Sequence, residues 1–243
     1  DATSLNYCGA CESDSCTSDV ECSAGLSCVS GTCAQLPTII SVSPTNGSPG
    51  NFITITGINL GNATGTVRFL GDPEIATDDL VAGLACSNSW SADEVIVAIP
   101  DPVTVSSTTE TYPIGPIEIE IFNGQTDRTD DLNGAYVSDF EINNTQRPGL
   151  CSVSPVQGSS GDVVSLSGAR LGNGADSAVF FSGVSATSTS NWSDSGLSVT
   201  VPQLSLDPFL KNITVQRGSE SSNPVSFGID PPNLGPVPTI QFI

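Results

Sequence analysis

The chain contains no histidine and no methionine, and it sets one lysine, Lys211, and five arginines against 26 aspartates and glutamates. Each absence closes off a class of function. Without histidine, no Ser-His-Asp or Cys-His nucleophile pair can be assembled. Clustered Lys/Arg are what hold phosphates, so a net charge of −20 argues against nucleic acid and anionic membranes as partners. No apolar run approaches the roughly 20 residues of a spanning helix, and direct membrane insertion of this segment is not expected. The missing methionine at position 1 predicts a processed or excised segment, with any signal peptide or anchor lying outside it. The acidity reads first as solubility in salt and second as a calcium-loaded surface.

Large apolar side chains are scarce in the first 36 residues, while Cys8, Cys11, Cys16, Cys22, Cys28 and Cys33 all fall there. Such a stretch has no core of its own and needs covalent staples. Only Cys8 and Cys11 have the two-residue spacing of a zinc knuckle, so three mutual disulfides are expected in place of a metal site, with pairing open. The compartment is therefore oxidising, secreted or cell-surface. The remaining cysteines, Cys86 and Cys151, are expected to bond to each other, against inter-chain pairing or a bond to the Cys-rich head.

What the chain has in abundance is repetition. Residues 40–61, ISVSPTNGSPGNFITITGINLG, return at 151–172 as CSVSPVQGSSGDVVSLSGARLG, identical at ten of twenty-two positions. Ile53 and Ile55 alternate with Thr54 and Thr56, and Val164 and Leu166 with Ser165 and Ser167, the period of half-buried strands. The S-P-x-x-G-S-x-G segments Ser43–Gly50 and Ser154–Gly161 supply proline and glycine for tight turns. Further on, Phe69 pairs with Phe180, Trp90 with Trp192, and Ile119 and Ile121 with Ile213 and Val215. Asn123-Gly124 predicts a type I′ hairpin turn. Each copy thus holds six or seven short strands and no helical periodicity, which predicts an all-β chain: two tandem immunoglobulin-like β-sandwiches after a small disulfide-rich module. The expected boundaries are 1–36, 37–142 and 148–230, followed by a Pro-rich spacer and terminal strand at 231–243. Thr239, Ile240, Gln241, Phe242 and Ile243 echo the opening strands, either starting a third copy or serving as a strand donor to a neighbour.

The pattern P-x-x-G-x-x-G followed by apolar alternation into G-x-x-L-G, at Val42–Gly61 and Val153–Gly172, resembles the IPT/TIG immunoglobulin-like domains of plexins, other receptors and microbial surface proteins. The head, around Cys22–Cys33, resembles small EGF-like or knottin-like modules. The resemblance implies an extracellular spacer, adhesion or interaction module and brings no catalytic residues.

Few groups could carry chemistry. Glu118 and Glu120 lie two apart on a strand, roughly 7 Å from each other, but alternate with Ile117, Ile119 and Ile121 and read as a solvent face. Trp90 and Trp192 read as core packing before sugar stacking. Asp127, Asp130 and Asp131, with the pair Asp78/Asp79, read as solvated loops before calcium ligands, because no known loop spacing is matched. Acceptor sequons for N-glycosylation occur at Asn46, Asn62, Asn143, Asn191 and Asn212. The resulting expectation is a non-enzymatic extracellular structural or adhesive protein, a repeat array or filament subunit whose partners are other protein subunits. The alternative is a receptor or carbohydrate-binding ectodomain, with a glycan partner taken by the Cys-rich module or the domain-one insertions.

Overall fold

The computed structural model describes residues 12–23, 26–71, 79–101, 114–130 and 139–230. They are almost entirely strand, and the one helical piece among them is the 3-10 turn Asp19–Glu21. The chain divides into two compact units, Asp1–Gln146 and Arg147–Ile243.

The first unit opens with the Cys-rich module, where Ser27–Val29 pairs with Thr32–Ala34 as a small antiparallel ribbon. Cys16–Cys28 and Cys22–Cys33 are disulfides of its described residues. Among its described residues, Cys16, Cys22 and Cys33 form a buried cluster, joined by partly buried Leu26 and Cys28. The sulfurs of Cys16, Cys22 and Cys33 lie within 4.8 Å of one another. Being disulfide-bonded, they offer no thiolate to a metal. Cys8 and Cys11 lie outside the described residues.

The sandwich that follows links its strands into a seven-stranded sheet, running from Thr126–Arg128 at one edge to Thr38–Ser43 at the other, and a three-stranded one. Its spine is Thr38–Ser43 against Phe52–Ile58 against Glu94–Ala98. The second unit repeats the plan with Gly149–Ser154, Val163–Ala169 and Gly196–Thr200, facing a six-stranded sheet that contains Ser177–Phe181, Leu210–Arg217 and Val225–Ile229. Strands of four or more residues number six in the first sandwich and seven in the second among the described residues.

The registers superpose the copies residue by residue. Ile55 faces Val95 as Leu166 faces Leu197, and Ile53 faces Val97 as Val164 faces Val199. Each first strand carries one bulge, at Ile40 in one copy and Cys151 in the other. Gly57 and Gly168 sit where a Cβ would collide with the carbonyl of Thr38 or of Gly149, so the first two strands can close only over glycine. Gly50 and Gly161, at φ +76 and +93, turn the chain in the left-handed region that glycine enters without cost.

Three sequence expectations need correction. The partner of Phe69 is Phe181, not Phe180: Phe69 meets Phe140 edge-on at 5.0 Å, as Phe181 meets Phe227 at 5.6 Å. Likewise Ile117 and Ile119, which face Phe69 and Val67, correspond to Ile213 and Val215, which face Phe181 and Val179. The shift arises because matching by residue type slips by one or two positions where strands are short and the flanking loops differ in length. The hairpin at Asn123-Gly124 is not type I′, which needs positive φ at both central residues. Gly124 N–H donates to Ile121 O at 2.8 Å, making Phe122 and Asn123 central, and only Gly124, at φ +83, is left-handed. Finally, Thr54 does not face solvent: it is 1% exposed, opposite buried Ile96. The second copy keeps the clean alternation, with Ser165 and Ser167 exposed.

Side-chain hydrogen bonds tie the first strand to a segment distant in sequence in both copies. The Ile39 N–H donates to Asp127 Oδ2 at 2.6 Å. In the second copy, buried Asn223 accepts from the Leu150 N–H at 2.8 Å and returns a bond from Nδ2 to Leu150 O at 2.9 Å. Replacing Asn223 with alanine strands both buried backbone groups, so a loss of about 2–4 kcal/mol is expected in urea unfolding. Gln125 is the opposite case, since its buried amide has no partner on either atom. Gln125→Leu is expected to hold or raise the melting temperature, and a drop of several degrees would show that the amide is used. Mild reduction is expected to loosen residues 12–34, which rest on two 11- and 12-residue disulfide loops, while far-UV circular dichroism of the sandwiches persists.

Candidate functional site

The carboxylate pair is held by an arginine. Arg68, on Thr66–Phe69, faces Glu118 across the ladder, and one of its nitrogens reaches Glu118 Oε1 at 2.9 Å and Glu120 Oε2 at 2.7 Å. Ile117 and Ile119 between and beside them point into the core. The bond to Glu120, then that to Glu118, raises the Arg68 pKa against the lowering effect of burial. A guanidinium bridging both acids makes this a partly exposed ion triplet that clips neighbouring strands, worth about 1 kcal/mol or less per pair.

Among the described residues, Asp127, Asp130 and Asp79 each answer to a separate partner. Asp127 accepts the Ile39 N–H, Asp130 pairs with Arg128 at 2.9 Å, and Asp79 accepts the Gly71 N–H at 3.1 Å. Asp78 and Asp131 lie outside the described residues. The arginines of the second unit are likewise absorbed by the fold. Arg147 pairs with Glu220 at 2.6 Å, Arg170 Nε donates to the Arg147 carbonyl, and Arg217 donates to the Arg170 carbonyl and approaches Asp176. Burial lowers the Arg170 pKa, opposed by the charge of Asp194.

Trp90 packs against the core of the first sandwich and donates its indole N–H to Leu60 O at 2.9 Å. Trp192 is half-buried against Gly174, whose bare Cα makes room for the ring. Of the sequons, Asn62, Asn191 and Asn212 are exposed. Asn46 and Asn143 are half-buried, and Asn143 Oδ1 accepts the Thr145 N–H. Cys86 and Cys151 are each disulfide-bonded and half-buried. Thr239–Ile243 lie outside the described residues.

One feature escaped sequence reading. A groove of about 350 Å³ opens at the end of the second sandwich where its last strand leaves, walled by Leu204, Leu206 and Ile229 and rimmed by Ser159, Ser160 and Asp230. Val156, Phe209 and Leu210 are exposed on the same strands and turns, and the Phe209 ring lies over Gly228. The signal available was weak: two leucines in the Gln203–Pro208 segment that fit no strand alternation.

A family model for the IPT/TIG domain matches residues 148–229. No curated protein sequence matches the chain. Among solved structures, the Plexin A4 extracellular region aligns at TM-score 0.32 and 17% identity, over 80% of this chain and 18% of that one. The surface glycan-binding protein PbSGBP-B of Prevotella bryantii aligns at 0.30 and 16%, over 80% and 42%. The gamma-CGTase of alkalophilic Bacillus clarkii aligns at 0.33 and 22%, over 68% and 26%. The chain spans less than half the length of each of these three. The match makes the lean copy, residues 148–229, an IPT/TIG domain, with a disulfide-held Cys-rich ribbon in the first unit ahead of it.

Proposed function

We propose that the chain is a non-enzymatic extracellular protein of structural or adhesive role, its sandwiches serving as modules of a surface or filament assembly. The observation that carries this reading is what the two copies share. Their common positions are turn glycines and prolines and a ladder of matched core side chains, from Ile39/Leu150 through Phe69/Phe181 to Ile142/Ile229. The polar groups they share, such as Ser41–Thr56 and Ser152–Ser167, hydrogen-bond within a sheet. A scaffold duplicated for its shape suits mechanical extension and display. The Cys-rich disulfides belong to an oxidising compartment, which supports secretion or cell-surface display.

Three finer statements go with the reading. Cys86 bonds to Cys151, exposed Asn62, Asn191 and Asn212 accept glycans where the source glycosylates, and Thr239–Ile243 supply a strand to a neighbouring module. Electron micrographs of purified protein are expected to show fibres or ordered layers; dispersed particles that titrate with a soluble glycan or protein ligand would support a receptor ectodomain instead. Peptide mapping without reduction is expected to recover one fragment joining Cys86 to Cys151, and either cysteine linked elsewhere ends that assignment.

A further inference from the structure

Phe122 is 79% exposed although it sits on a well-bonded turn. Gly124 N–H donates to Ile121 O and Ile121 N–H to Gln125 O, each at 2.8 Å, and the Gln125 N–H donates to Asn123 Oδ1 at 3.2 Å. A lone apolar side chain in water is ordinary on a protein surface. What sets this one apart is the segment beside it.

The loop 61–65 lies against the same turn at both ends. A Cβ on Gly61 would stand 3.9 Å from Ile121 Cβ, and a Cβ on Gly65 would collide with the Glu120 carbonyl and Ile121 Cα. Thr66 faces Glu120 in the ladder, so two further steps of that register set Thr64 opposite Phe122. Between the two glycines Asn62, Ala63 and Thr64 are exposed and belong to no strand. These three residues are an acceptor sequon. The other sequons are placed differently: Asn46, Asn191 and Asn212 are strand residues, and Asn143 is half-buried with its Oδ1 taken by the Thr145 N–H. The Asn62 amide makes no hydrogen bond among the described residues, so its nitrogen is open to substitution.

Area decides what suits the ring. One aromatic side chain buries about 150–250 Å², far below the roughly 1,200 Å² at which stable protein interfaces begin. A single sugar is of the right size, since its C–H face lies flat on an aromatic face while its hydroxyls stay in water. Residues 61–65 and 121–125 carry no charge, so a neutral sugar settling there strips water from no ion of these segments.

We propose that Asn62 carries an N-linked glycan whose first N-acetylglucosamine packs on the Phe122 ring. This rests on the reading that exposed sequons of the chain accept glycans. In the transfer, a lipid diphosphate-linked oligosaccharide gives its sugar C1 to Asn62 Nδ2. The C1–phosphate bond breaks, the C1–N bond forms, the amide loses one proton, and the lipid diphosphate leaves. The attached sugar covers the ring and ties loop 61–65 to the hairpin.

The test uses the full chain secreted from a glycosylating eukaryotic host, its glycans trimmed by an endoglycosidase to one N-acetylglucosamine. Peptide mass mapping is expected to find that sugar on Asn62, and an unmodified Asn62 overturns the glycan reading at this site together with the packing. On the occupied chain, the ring and acetyl proton resonances of the Asn62 sugar are expected to be displaced by the aromatic ring and to lose that displacement in Phe122→Ala. Sugar resonances unmoved by Phe122→Ala overturn the packing and leave glycosylation standing. A displacement that fades on dilution also overturns it, because a second copy then brings the ring. In thermal unfolding, Phe122→Ala is expected to lower the midpoint of the occupied chain more than that of Asn62→Gln, and equal losses in the two backgrounds count against the contact.

Discussion

Each sandwich stands on the same constraint: two sheets must meet through one layer of inward side chains, and that layer is set by the period of two along every strand. Ile53 and Ile55 in one copy, Val164 and Leu166 in the other, are central to it, with Phe69 on Phe140 and Phe181 on Phe227 closing the far side edge to face. Slipping any of these strands by one residue would turn the apolar set outward. The glycines that let the first strands approach, and the side chains of Asp127 and Asn223 that bind across to them, serve that single layer.

The Cys-rich module obeys a different economy. With three cysteine side chains as its buried core, residues 12–34 owe their shape to covalent loops rather than to apolar area. Closing loops of that length is worth about 3 kcal/mol each in the chain-entropy model. The module and the sandwiches therefore answer to different conditions, redox state for one and solvent for the other.

The charge balance, so lopsided overall, is locally well ordered. All five arginines are engaged, Arg68 between two glutamates and Arg128 beside Asp130, with Arg147, Arg170 and Arg217 linked through one another's carbonyls. Cations so committed leave the remaining acidic surface to repel polyanions and like-charged copies at long range. Association between such molecules falls to neutral surfaces.

Composition and periodicity alone determined the all-β class, the duplication, the disulfide-held head and the exclusion of histidine chemistry, because these follow from residue types and spacing that no tertiary contact can alter. Ile117, Ile119 and their alternating glutamates were legible as a core-and-solvent strand for the same reason. Only the tertiary structure decided that Phe181 rather than Phe180 is inward, that Asn123-Gly124 turns through Phe122, and that Thr54 is covered. Each depends on register or on a segment distant in sequence. The groove was hidden for the same cause: Leu204, Leu206 and Ile229 belong to separate stretches of chain, and they form a surface only where the end of the sandwich brings them together.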